Sequence, residues 1–149
     1  MRKLRWMILF FLPLLMVAQE FNPKAYYRLV AKHSGRVLDV NLPDQDQANV
    51  VQHSWHGGDN QRWRIEPLGD GTYRLVAKHS GKVLDVNLPD RDQANVVQHT
   101  WHGGDNQRWR IEIVEGAPTG QIFDPQKTYR LVAKHSGRVL DVNLPDQDQ

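Results

Sequence analysis

The chain is written largely twice over. Tyr27–Glu66 and Tyr73–Glu112 align without a gap and differ only at Arg36/Lys82, Gln45/Arg91 and Ser54/Thr100. A third copy opens at Tyr129 and runs to Gln149. Such self-similarity constrains architecture more than local propensity does, because each copy must fold alike and bury its apolar face against its neighbours. The flanking residues refine the period. Phe123-Asp124-Pro125 matches Phe21-Asn22-Pro23, and Arg138 and Gln147 match Arg36 and Gln45 rather than Lys82 and Arg91. The copied unit is therefore a pair of repeats, and a new pair begins at Phe123. The expected organisation is two complete repeats (27–66 and 73–112) within residues 19–112, a linker over 113–122 and a partial third repeat over 123–149. A tight Gly69-Asp70-Gly71 turn joins the first two copies.

Within a copy the pattern favours short strands. Tyr27, Leu29 and Ala31 alternate with polar neighbours, so they share one face of a strand. Ser34-Gly35 signals a hairpin turn, and Val37–Val40 follows, with Leu38 and Val40 on one face and Asp39 turned outward. Residues 41–49 are polar and read as a loop. Val50–Trp55 is the third strand, His56–Asn60 a glycine-containing loop and Gln61–Ile65 the fourth strand, with Gln61, Trp63 and Ile65 on one face. No helix is expected. Four short strands in a repeat of this length indicate an all-β repeat architecture.

The first 18 residues stand apart. Arg2, Lys3 and Arg5 precede Met7–Ala18, an uncharged apolar run that is short for a membrane span. This is the pattern of a secretory signal peptide over residues 1–18, and it predicts a secreted, extracellular or periplasmic chain with no stable membrane insertion after cleavage. An uncleaved N-terminal anchor is the alternative. The formal charge of +2 and pI near 9.0 suggest nucleic acid only until that segment is set aside. What remains has 16 basic against 17 acidic residues, so no nucleic-acid partner is expected. There is no cysteine, which excludes disulfides and thiolate chemistry.

Each full copy carries an ordered set of motifs: Tyr-x-Leu, Ser-Gly-x-Val-Leu-Asp-Val (Ser34–Val40 and Ser80–Val86), Val-Val-Gln, and Gly-Gly-Asp-Asn-Gln-x-Trp ending at Trp63 and Trp109. This set resembles the ricin B-type lectin repeat, over Tyr26–Glu112 and Thr128–Gln149. The resemblance implies a β-trefoil-type fold, here with two complete copies and one partial copy of the three that close a trefoil. It also implies a carbohydrate partner. Its sugar pocket would use Asp39 and Asn60 in the first copy, and Asp85 and Asn106 in the second. The stacking aromatic falls at His53 or Trp55, and at His99 or Trp101, with a packing role open for the two tryptophans. Gln61, Trp63, Gln107 and Trp109 are expected to be structural, the tryptophans filling core and the glutamines bonding backbone.

Other chemistry fits less well. His53-x-x-His56 and His99-x-x-His102 are close pairs, but residues three apart on a strand face opposite ways, so no metal site or cofactor is expected. His33, His79 and His135 precede Ser-Gly turns and read as solvated. Asp44 and Asp46 lie in a polar loop with no apolar pocket to raise a pKa, and His33-Ser34 cannot form a nucleophile–base pair, so the chain is not expected to be an enzyme. The competing expectations are a structural or protein-interaction repeat module without sugar binding, and the binding appendage of a secreted glycosidase. Asp141, in the partial copy, has no Asn counterpart, and self-association through this incomplete repeat is expected from its uncovered strand edges.

Overall fold

The computed structural model describes residues 21–41, 44–87, 91–115, 123–124 and 126–142. The expected signal segment, most of the expected linker and the end of the third repeat lie outside the described residues. Eight short strands appear in chain order: β1 (Val37–Val40), β2 (Val50–His53), β3 (Trp63–Pro67), β4 (Tyr73–Ala77), β5 (Val83–Val86), β6 (Val96–His99), β7 (Trp109–Ile113) and β8 (Tyr129–Ala133). In each complete repeat an antiparallel hairpin places the Leu-Asp-Val strand against the Val-Val-Gln strand. Asp39 stands opposite Val51 in β1–β2, and Asp85 opposite Val97 in β5–β6.

The repeats are joined through their tryptophan strands. β3 runs antiparallel to β4 of the next repeat, with Trp63 opposite Ala77, and β7 runs antiparallel to β8 in the same register, with Trp109 opposite Ala133. Each tryptophan also bridges the opening tyrosine of its own repeat, Trp63 to Tyr27 and Trp109 to Tyr73. Each complete repeat thus closes on itself and on its successor by one device. The ends meet as well: Phe21 lies 5.1 Å from Phe123, 5.7 Å from Tyr27 and 5.4 Å from Tyr73, measured between ring centroids. Phe21 and Phe123, which open the two paired units, therefore share one aromatic cluster. A single apolar core, including Val40, Trp63, Ile65, Leu75, Leu84, Trp109 and Ala133, runs through all three repeats.

Several local expectations change. The opening segment of the first repeat keeps its alternation, with Tyr27, Leu29 and Ala31 inward, but makes isolated bridges where repeats two and three form strands. The third strand of each copy ends at His53 or His99, two residues short of the tryptophan. Gln61 and Gln107 are not strand residues: each closes a 3-10 turn (Asp59–Gln61 and Asp105–Gln107) that delivers the amide inward beside the buried tryptophan. The hairpin into the third repeat extends past Glu112, since Ile113 pairs with Tyr129 and the Val114 amide donates to the Thr128 carbonyl, so the linker begins later than 113.

The polar loop after β1 has a structural duty. Its Gln47 amide donates to the Gln98 carbonyl, and the Gln98 amide donates to the Ala48 carbonyl, which docks the first repeat onto β6. Asp46 accepts from both the amide and the hydroxyl of Thr100. Burial pushes the Asp46 carboxyl up, but those bonds and the nearby His99 and Lys82 hold it below the usual range. Among the described residues no helix is long and apolar enough to cross a membrane.

His33 is exposed as expected, but His79 and His135 are not solvated. Their ring nitrogens are shielded and make no hydrogen bond among the described residues. Burial lowers the His79 pKa, so the unfolded chain, with an ordinary imidazole near 6.5, binds protons that the fold excludes. The stability that His79 contributes as a neutral ring is complete above that value and lost as pH falls below it. The expected result is a melting temperature that falls between pH 7.5 and 5.5, and falls less in His79→Leu. Equal slopes for the two proteins would contradict this assignment.

Candidate functional site

The site assembles around the Asp of the Leu-Asp-Val strand. Contrary to the outward, exposed placement that alternation gives, Asp39 and Asp85 are buried, at 4% and 3% exposure. The reason is that both faces of β1 and β5 are covered: Val40 and Leu84 face the core, while the 3-10 turn folds over the other side and brings two amides to the carboxylate. Asn60 Nδ2 donates to Asp39 Oδ1 at 2.9 Å and Gln61 Nε2 donates to Oδ2 at 2.8 Å. Asn106 and Gln107 treat Asp85 alike, at 3.0 and 2.8 Å. Burial, the largest influence, pushes the Asp85 carboxyl up, against the hydrogen bond from Gln107 and the nearby His99 and His102.

The Gln-x-Trp residues hold this arrangement from behind. Gln61 Nε2 also donates to the Ser54 carbonyl at 2.8 Å, and its Oε1 accepts from the His56 amide at 2.9 Å, so one buried amide fixes the loop leading to the site. The Trp63 indole donates to the Leu38 carbonyl at 3.1 Å, and Trp109 to Leu84 at 3.1 Å. The tryptophan therefore anchors the strand that carries the Asp, a role its packing alone does not reveal.

Asn60 contributes less than its full amide. Both hydrogens of Nδ2 are engaged, by Asp39 and by the Val40 carbonyl at 3.2 Å, leaving Oδ1 as an acceptor. The histidines complete the ring. Because β2 ends at His53, the next residues turn, and His53 and His56 converge on Asp39 instead of facing apart. Their ring centroids are 5.5 Å apart, and those of His99 and His102 are 5.6 Å apart. His56 Nε2 lies 3.4 Å from Asp39 Oδ2, and His102 Nε2 lies 3.5 Å from Asp85 Oδ2. The Gly58 amide donates to His56 Nδ1, which places the imidazole proton on Nε2, toward the carboxylate. His53 Nδ1 faces the Ser54 carbonyl at 3.0 Å, which leaves its Nε2 a lone pair. The site thus offers acceptors from Asp39, Asn60 and His53 and a donor from His56.

His56 and His102 belong to this site although strand alternation excludes them. A signal was present: Gly57-Gly58 directly after the histidine is the means of turning the loop back. Gly57 has φ of +77°, whereas Gly58 has an ordinary φ of −68°. Gly58 is needed for space, since a Cβ there would lie 2.6 Å from His56 Cε1 and would overlap Asn60 Oδ1.

Trp55 and Trp101 keep company with arginines. Trp55 sits between the guanidinium groups of Arg28 and Arg62, at 5.4 and 5.9 Å, in a 290 Å³ groove with Tyr26 and Tyr27. Trp101 is held likewise between Arg74 and Arg108. The geometry brings together Asp39, His53, His56 and Asn60, and separately packs the tryptophan with arginines. In the third repeat Asp141 is exposed and accepts from the amide of its neighbour Val142.

A three-repeat β fold closed by its tryptophan strands, with one buried Asp-centred site in each complete repeat, is a β-trefoil of the Gln-x-Trp kind. The chain belongs to the ricin-type β-trefoil lectin domain-like family, whose profile matches residues 17–91 and 87–148. It is similar to ThreeFoil, a designed three-fold symmetric protein, at 52% identity and a TM-score of 0.72 over 83% of each chain. It is also similar to 1,3Gal43A, an exo-β-1,3-galactanase from Clostridium thermocellum, at 31% identity and a TM-score of 0.70, over 83% of this chain but 25% of the galactanase. The ricin B-like lectin of Macrolepiota procera, solved in complex with lactose, shares the fold at 18% identity and a TM-score of 0.69, over 87% of this chain and 84% of the lectin. No curated protein matches the chain in sequence.

Proposed function

We propose that this chain is an exported, non-catalytic carbohydrate-binding protein with two equivalent shallow sites, centred on Asp39 and Asp85. The observation that carries this is the Asp39–Asn60–His53–His56 cluster and its copy. A fixed carboxylate flanked by an amide oxygen accepts hydrogen bonds from neighbouring hydroxyls on a sugar ring. Such a site is weak alone, and two on one chain gain by avidity on a multivalent glycan. Galactosides are the first class to test, because the galactanase and the lactose-bound lectin both point there.

The test is capture on immobilised galactose-terminated glycans. The unmodified chain is expected to bind and Asp39→Ala/Asp85→Ala to lose binding while keeping its β-sheet circular dichroism. Equal capture of the two proteins, or none of either across a glycan panel, would overturn the reading. The match to one quarter of a galactanase favours a second reading, in which the same sites serve as the binding appendage of a glycosidase. That reading predicts a hydrolase sequence continuing in the same gene.

A further inference from the structure

The buried carboxylates have no lysine or arginine partner among the described residues. Among the described residues, every polar contact of Asp39 and Asp85 is with an Asn or Gln amide or a histidine ring, and no Lys or Arg reaches them. A buried carboxylate held only by amides and imidazoles stands out in a fold that otherwise pairs its acids with lysine or arginine, since buried charge is normally compensated. We infer that Asp39, His53 and His56, and equally Asp85, His99 and His102, form two binding sites for a divalent late first-row transition ion such as zinc.

The geometry fits such an ion. One donor atom from each of the three residues lies within 4.8 Å of the others in both repeats. Zinc takes nitrogen and carboxylate oxygen ligands at about 2.0–2.2 Å, which sets tetrahedral ligands roughly 3.4 Å apart. His56 Nε2 and Asp39 Oδ2 already stand 3.4 Å apart, and their counterparts 3.5 Å. A ring nitrogen of His53 completes the set, within 4.8 Å of both. The outer contacts are of the kind that orient metal ligands. Asp39 is fixed by Asn60 and Gln61, and His53 gives its Nδ1 proton to the Ser54 carbonyl, leaving Nε2 free to ligate. The donor set of two imidazoles and one carboxylate suits zinc, copper or nickel rather than calcium or magnesium. His56 is half exposed, so the ion has an entry path and keeps positions for water.

One contact opposes binding. The Gly58 amide donates to His56 Nδ1, so ligation through Nε2 requires the imidazole proton to move to Nδ1 and that hydrogen bond to break. A single solvent-exposed hydrogen bond lowers affinity by about tenfold at most, which three ligand bonds outweigh. The ion would occupy side chains of the proposed sugar site, but its binding does not depend on that reading.

The experiment is calorimetric titration of the chelator-treated full chain with zinc alone, no glycan being present. Two ions per chain are expected, with at least a tenfold loss of affinity in His53→Ala/His99→Ala and no loss in His33→Ala. Cobalt(II) added to the unmodified chain should give the visible d–d bands of histidine ligation, a readout that does not depend on a variant folding. Absence of both zinc heat and cobalt bands, or unchanged stoichiometry when His53, His56, His99 and His102 are all replaced in a folded chain, would overturn the inference. A chain that binds zinc and no glycan overturns the sugar reading alone, and one that binds glycan and no zinc overturns this one alone.

Discussion

Trp63→Ala is expected to cost about 3–5 kcal/mol, a large share of the 5–15 kcal/mol that holds a typical domain folded. Three losses coincide. The side chain is fully buried in the core cluster that also holds Val40, Ile65, Leu75 and Ala77, so its removal opens a cavity there. Its indole hydrogen bond to the Leu38 carbonyl disappears, leaving a partly buried acceptor unpaired. Its strand also bridges Tyr27 of its own repeat and pairs with Ala77 of the next, so damage there spreads across the junction between repeats. Thermal unfolding should drop by on the order of 10 °C or more. Trp63→Phe keeps most of the packing and loses only the donor, and is expected to cost about 1–3 kcal/mol. If Trp63→Phe proves as damaging as Trp63→Ala, the hydrogen bond outweighs the cavity, the reverse of the expected order.

Gly58→Ala/Gly104→Ala is expected to abolish most glycan binding, with a stability cost confined to the lost Asn60–Asp39 and Asn106–Asp85 hydrogen bonds. The backbone at Gly58 has φ −68° and ψ 156°, which any residue adopts, so the substitution adds no strain of its own. The added methyl instead overlaps Asn60 Oδ1 and presses on His56, and Gly104 meets Asn106 and His102 in the same way. Asn60 must swing off Asp39, removing two of the groups offered to the sugar, and affinity should fall by at least about tenfold. Gly57→Ala is the instructive contrast. Gly57 has φ of +77°, and a Cβ there meets nothing closer than the Trp55 ring at 4.0 Å. It should cost stability, roughly 1–2 kcal/mol for a left-handed residue, and leave binding intact. Titration of both variants with the same glycan, beside their melting curves, separates the two effects. Full binding by Gly58→Ala/Gly104→Ala would contradict the geometry of the site.

The architecture was legible in the sequence because the repeat carried it. Near-identity at a fixed spacing, alternation through Tyr27-Leu29-Ala31 and the Ser-Gly turns specify short strands without reference to long-range contacts. The burial of Trp63 and Gln61 was legible for the same reason, since the ordered motifs repeat intact. What was not legible depends on the third dimension. Alternation sends Asp39 outward, and only the turn at 59–61, folding back over the strand, reveals that the outward face is covered. Periodicity separates His53 from His56 by treating them as one strand, whereas the strand stops at His53. Trp55 has the character of a sugar-stacking ring in sequence, but Arg28 and Arg62, which enclose it, are not its neighbours along the chain. His79 is shielded by packing around its turn, which no local pattern encodes.

The pairing of loops between repeats belongs to the same class. Lys78 of the second repeat reaches Asp59 of the first at 2.9 Å, and Lys134 of the third reaches Asp105 of the second at 3.2 Å. These exposed pairs add little stability singly, and they recur at the same place in each junction between repeats. They explain why the Asp beside each site residue Asn60 or Asn106 is spent on the next repeat and not offered to a ligand.

The proposed sugar recognition rests on two equivalent sites, around Asp39 and Asp85. The most direct test follows the backbone amide resonances of the unmodified chain while a galactoside is added. The expected shifts are at His56, Gly58 and Asn60 together with His102, Gly104 and Asn106, with the Arg28–Trp55–Arg62 groove unmoved. Shifts confined to that groove, or to the third repeat around Asp141, would contradict it.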